Sequence, residues 1–138
     1  MRNRALSNVK ILAVEDHEDT RLLFKAFLER SGADVIAVES GQAALLAIQR
    51  HKFDVVLCDI GMPEMDGYQF LQKIRDLEPQ FGYQPAIACT AYTTPTDVAC
   101  AHRAGFQALV AKPVDLAELV NTILTVVSGG PPSNARLS

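Results

Sequence analysis

Asp59 closes the apolar run Val55-Val56-Leu57-Cys58 and precedes a turn-rich stretch containing Gly61, Met62-Pro63 and Asp66-Gly67. The same grammar recurs along the chain. Glu15-Asp16 follow Val9 to Val14 (VKILAV), Thr90 follows Ala86 to Cys89 (AIAC), and Lys112-Pro113 follow Gln107 to Ala111. If these places met, three carboxylates would repel one another unless one were protonated or a cation joined them. A hard divalent ion with oxygen ligands, such as Mg²⁺, is the economical solution. A lysine there adds a point charge suited to phosphate oxygens, and a threonine adds a hydroxyl donor. That set suits phosphoryl transfer, whose catalysis is mostly positioning and charge neutralisation. The plainer alternatives are an Asp59 that only starts a turn and a Lys112 that only caps a strand end at the surface.

The elements between these residues decide whether they meet. Each apolar run bounded by turn residues reads as a strand buried on both faces, as in parallel sheets. Asp34 to Val38 (DVIAV) adds a further strand. Helical spacing separates them. The first helix carries Leu22, Leu23, Ala26 and Phe27, begins near Asp16 or Asp19 as its cap, and stops at Gly32 as a C-cap. The second opens at Ser40-Gly41 with Ala44, Leu45 and Ile48 inward. The third starts near Asp66 with Phe70, Leu71 and Ile74 inward, and Pro79 with Gln80 to Gln84 forms a loop. The fourth runs from Thr94-Pro95-Thr96-Asp97 to Gly105, and the last shows Leu116, Leu119, Val120, Ile123, Leu124 and Val127 on one face behind Asp115. Five strands alternating with five helices imply an α/β doubly wound parallel sheet, which places all four polar strand ends on one edge. That edge is where ligands collect in open α/β sheets.

Composition narrows the classes. At 138 residues, 49% hydrophobic and 21% charged, the chain is one compact domain. It reads as a polar leader over 1–8, a domain over 9–127 and a Gly/Pro/Ser-rich flexible tail or linker start over 128–138. A net charge of −3 gives no basic footprint for nucleic acid. No apolar run spans a bilayer and no signal-peptide core follows Met1, so a cytoplasmic location without membrane association is expected. Cys58, Cys89 and Cys100 form no C-x-x-C motif, so they are expected free, although Cys58 and Cys89 would approach if their strands were neighbours. No Gly-x-Gly-x-x-Gly follows the first strand, which disfavours a dinucleotide site.

With Glu15-Asp16, the block Asp59 to Gly67 (DIGMPEMDG), Thr90-Ala91 and Lys112-Pro113 in this order, the chain resembles a response-regulator receiver domain of two-component signalling over about Val9 to Val127. The resemblance implies a flavodoxin-like (βα)5 fold with strand order 2-1-3-4-5. It implies Asp59 as the acceptor of a phosphoryl group from a phosphohistidine on a histidine kinase or histidine phosphotransfer protein, or from a small acyl phosphate. Glu15, Asp16, Asp59 and the backbone carbonyl of Gly61 would hold Mg²⁺ or another divalent ion such as Mn²⁺. Lys112 and Thr90 would receive phosphoryl oxygens, with small Ala91 leaving room. By the same resemblance the Lys112-Pro113 peptide is cis, a form X-Pro bonds adopt at small cost. Such a chain is not an enzyme beyond catalysing its own phosphorylation and dephosphorylation.

One position departs from the family pattern: Leu109 stands where an aromatic residue usually sits, three places before the lysine. Tyr92 is a substitute gate with little to favour it. His17 reads as a surface residue at a helix start, and His102-Arg103 as dipole complements. Two other functions compete. A docking module without phosphorylation is favoured only by Leu109, and a phosphatase with an Asp59 nucleophile lacks its second acid, since position 61 is Gly. A stand-alone regulator, a relay intermediate and a receiver within a hybrid kinase are all compatible with the sequence, with the polar leader leaning toward the first.

Overall fold

The computed structural model describes residues 5–59, 67–91 and 94–129. Ten elements alternate: β1 (Lys10–Val14), α1 (Glu18–Arg30), β2 (Asp34–Val38), α2 (Gly41–Arg50), β3 (Val55–Asp59), α3 (Gly67–Phe81), β4 (Ala86–Thr90), α4 (Pro95–Ala104), β5 (Ala108–Ala111) and α5 (Leu116–Val127). The strands form one parallel sheet in the order β2-β1-β3-β4-β5, as the doubly wound reading requires. Strand period 2 divides the core in two. Ile11, Ala13, Val55, Leu57, Ile87 and Val110 face one layer with Phe24 and Leu28 of α1 and Leu119 and Ile123 of α5. Leu12, Val14, Val56, Cys58, Ala88 and Leu109 face the other, with Ala44 and Ile48 of α2, Phe70, Leu71 and Ile74 of α3, and Ala101 of α4.

Several helix boundaries carry their cause. Ser40 and Asp115 accept N–H bonds from Ala43 and Glu118 and so cap α2 and α5. Thr94 and Asp97 form a reciprocal capping box at α4, which ends on Gly105 at φ +111°.

The sequence expectations need four adjustments. The cap of α1 is His17, whose Nδ1 accepts from the Thr20 N–H, while Asp19 lies in the first turn. The buried face of α1 is Phe24 and Leu28, leaving Leu22 and Leu23 more than half exposed. Both sets have helical spacing, and only packing against β1 and β2 selects between them. Helix α3 continues through Pro79 to Phe81, where a loop is expected. Proline removes a single N–H there; the Gly82 N–H to Glu78 carbonyl bond closes the turn, and Phe81 packs on the second core layer. In the leader, Leu6 is fully buried, and its N–H donates to the Ser31 carbonyl.

β3 and β4 are neighbours, yet Cys58 stands level with Ala88 and Cys89 with Asp59, so the two thiols lie on opposite faces of the sheet. None of the three cysteines forms a disulfide among the described residues. No described helix is long and apolar enough to cross a membrane.

Candidate functional site

The C-terminal edge of the sheet assembles the polar residues from four strands. β1 and β3 run level, with Val14 beside Cys58, so the next residues, Glu15 and Asp59, emerge side by side. The Glu15 N–H continues the sheet by donating to the Val38 carbonyl. Thr90, buried at the end of β4, is level with Ala111, and its carbonyl accepts the Lys112 N–H. Lys112 follows at once, and its peptide with Pro113 is cis, as expected.

The side chains converge on Asp59. Lys112 Nζ donates to Asp59 Oδ1 at 2.6 Å across 53 residues of sequence and lies 3.8 Å from Glu15 Oε1. One carboxylate oxygen from each of Glu15, Asp16 and Asp59 lies within 4.8 Å of the others. Glu15 is almost wholly buried, Asp59 partly so, and Asp16 faces solvent. Gly61 and Tyr92 lie outside the described residues, as do Met62, Pro63 and Met65.

Charge is unevenly compensated. Burial pushes the Glu15 carboxyl up to about 7. The His17 N–H, 3.1 Å from Oε2, works against that rise, as does Lys112, while the Asp59 charge and the Asp16 side chain reinforce it. For Lys112, burial lowers the amine, but its hydrogen bond to Asp59 and the charges of Asp59 and Glu15 outweigh burial and hold it above the ordinary lysine value. Burial drives the neighbouring Cys89 thiol up to about 12, so it is inert as a nucleophile. Among the described residues, Lys112 alone makes ion pairs with this cluster of three acids. Hard oxygen donors crowded around incomplete positive charge are a donor set that fits a divalent cation of the Mg²⁺ type.

Glu15, Asp16, Asp59, Thr90 and Lys112 are thus gathered on one edge. Two contacts there are not announced by the sequence. His17 is both the cap of α1 and the donor to Glu15. Arg21, one helical turn beyond, sends Nη1 back to the Glu15 carbonyl at 3.0 Å and toward the Asp16 carbonyl at 3.5 Å. The available signal was an arginine one turn after the acidic pair on the helix they precede.

The family model of the response regulator receiver domain matches residues 11–124. The chain is 32% identical over 113 residues to the polar-differentiation response regulator DivK of Brucella ovis, covering 82% of this chain and 91% of that protein. It is 31% identical over 125 residues to the sensory/regulatory protein RpfC of Xanthomonas campestris, covering 89% of this chain but spanning only 17% of that relative's length. A solved receiver domain of the sensor histidine kinase PA1611 from Pseudomonas aeruginosa, described with a magnesium ion in its active-site cleft, superposes with a TM-score of 0.78 at 30% identity, covering 88% of this chain and 99% of that one.

Proposed function

Because the chain belongs to the response regulator receiver domain family and serves as a phosphoacceptor in two-component signalling, we propose that Asp59 is the residue phosphorylated. The observation that carries this reading is the 2.6 Å approach of Lys112 Nζ to Asp59 Oδ1, with Glu15 and Asp16 gathered around the same carboxylate. An Asp59 oxygen attacks the phosphorus of a phosphohistidine. The new O–P bond forms as the N–P bond breaks, its electron pair returning to the imidazole nitrogen, which is left free to take a proton. Lys112, already seated on Asp59, neutralises the charge that accumulates on the transferred oxygens, and Thr90 at the end of β4 offers a hydroxyl to another.

Glu15, Asp16 and Asp59 would hold Mg²⁺ or Mn²⁺, with the Gly61 carbonyl as a further ligand. That ion supplies charge neutralisation for the phosphoryl oxygens. The magnesium-bearing PA1611 receiver supports this assignment. The donor is a histidine kinase or a histidine phosphotransfer protein, consistent with relatives that are themselves sensor kinases. The chain catalyses only its own phosphorylation and dephosphorylation and works in the cytoplasm.

Incubation with Mg²⁺ and a small acyl phosphate should add one phosphate by intact mass, and Asp59→Asn should add none. Uptake by Asp59→Asn equal to that of the unaltered chain would overturn the assignment.

A further inference from the structure

We propose that Arg21 is a positioning residue for the cation-binding acids, acting through the backbone of the β1–α1 turn. This rests on the phosphoacceptor reading of the site. Glu15 and Asp16 must project together toward Asp59, yet Asp16 is solvent-exposed and the segment between the end of β1 at Val14 and the start of α1 at Glu18 is only three residues long. With Glu15 buried and Asp16 exposed, the two side chains leave this short turn into different surroundings, and their common aim depends on how its peptide planes are held. From the β1 side, the Glu15 N–H is tied to the Val38 carbonyl. From the α1 side, the Arg21 guanidinium takes the Glu15 carbonyl at 3.0 Å and approaches the Asp16 carbonyl at 3.5 Å. The 3.0 Å bond fixes the peptide plane between Glu15 and Asp16, and so the direction in which these side chains leave the backbone, with the 3.5 Å contact to the Asp16 carbonyl as a weaker second restraint.

The guanidinium is committed to this task. Among the described residues it forms no ion pair with a carboxylate, although Glu18 and Asp19 are on its own helix. Both contacts come from one nitrogen, Nη1, which the rigid guanidinium plane holds in place more firmly than a flexible stem holds a lysine ammonium. Its cationic charge near an acid cluster is, by itself, unfavourable to a bound cation. The geometric and electrostatic roles therefore predict opposite effects when the arginine is removed.

The experiment is a calorimetric titration of Mg²⁺ into the unphosphorylated chain, repeated with Mn²⁺ followed by electron paramagnetic resonance, on Arg21→Met and Arg21→Lys, with thermal melts as a check of folding. Loss of an outer group that orients metal ligands weakens metal binding by about 10- to 100-fold. Arg21→Met should fall about tenfold, and Arg21→Lys, which keeps a charged donor nitrogen on a shorter stem, should recover part of that loss. Tighter binding by Arg21→Met would mean that its charge matters and its grip does not, and would overturn the inference. So would an unchanged affinity accompanied by a lower melting temperature, the mark of a merely structural staple. If Arg21→Met does not fold, Arg21→Lys decides by the same reading, weakened against unchanged. Absence of divalent-cation binding by the unaltered chain would overturn the phosphoacceptor reading itself, and this inference with it.

Discussion

At the scale of single residues, Glu15 is an acid of the site whose charge near neutral pH is set by its surroundings. With its carboxyl raised to about 7 from an ordinary 4.5, the folded cation-free chain binds more protons than the unfolded chain between those values. Stability linked to Glu15 is therefore fully present below about pH 4.5 and is lost as pH rises through about 7. Urea titrations of the cation-free protein at pH 5 and pH 8 should show this group's contribution falling toward pH 8, and Mg²⁺ should restore it there by replacing the proton as the counter-charge. Cation binding must displace that proton, so the Mg²⁺ dissociation constant should weaken as pH drops from 8 to 6, by up to about tenfold per unit below 7. Glu15→Gln removes the titrating group. It should flatten the stability profile over this window and lose most of the Mg²⁺ affinity, as calorimetry would show.

At the scale of elements, α4 is held at both ends by chemistry its sequence specifies. Thr94→Ala removes the side chain that accepts the Asp97 N–H and donates its hydroxyl to the Asp97 carboxylate. Loss of such a cap should cost about 1 kcal/mol in urea unfolding. The other end is tighter. Gly105 has φ +111°, and a Cβ there would lie 3.2 Å from Arg75 Nε and 3.3 Å from Leu71 Cδ2. Arg75 cannot readily withdraw, because its guanidinium donates to the Gly105, Gln84 and Glu78 oxygens and lies over the Tyr83 ring at 4.6 Å. Gly105→Ala should therefore destabilise by more than the roughly 1 kcal/mol of the glycine conformation alone, measured by the same unfolding titration. The helix start at Thr94-Pro95-Thr96-Asp97 and the stop at Gly105 were legible from residue types in order, while the reciprocal bonds of the capping box came from the structure. The Arg75 hub was not, because its partners come from α3, the loop before β4 and the end of α4.

At the scale of the whole molecule, the site depends on a sheet whose two faces are both covered. Leu57 lies in β3, between β1 and β4, and packs in the layer shared with α1 and α5 while its strand ends two residues later at Asp59. Leu57→Ala should cost about 2–5 kcal/mol by denaturant unfolding. Leu109, the departure from the family pattern, is buried on the opposite face among residues of α2, α3 and α4. It serves there as a packed core side chain in β5, three residues before Lys112.

The order of elements, the strand ends and the identity of the acids, the threonine and the lysine follow from the sequence alone. Apolar runs, turn residues and caps act over a few residues and read the same wherever the segment sits. Tertiary packing decided the rest. Phe24 and Leu28 rather than Leu22 and Leu23 face inward on α1, and Cys58 and Cys89 lie on opposite faces despite adjacent strands. Pro79 sits within a helix, His17 displaces two aspartates as the cap, and Arg21 grips the acidic turn. Each of these choices lay between locally equivalent options. Burial against distant segments separates them for the α1 face, the two cysteines and Pro79, just as tertiary structure brings Lys112 to within 2.6 Å of Asp59 across 53 residues, whereas the His17 and Arg21 contacts span only three to six residues and depend on the conformation of the β1–α1 turn.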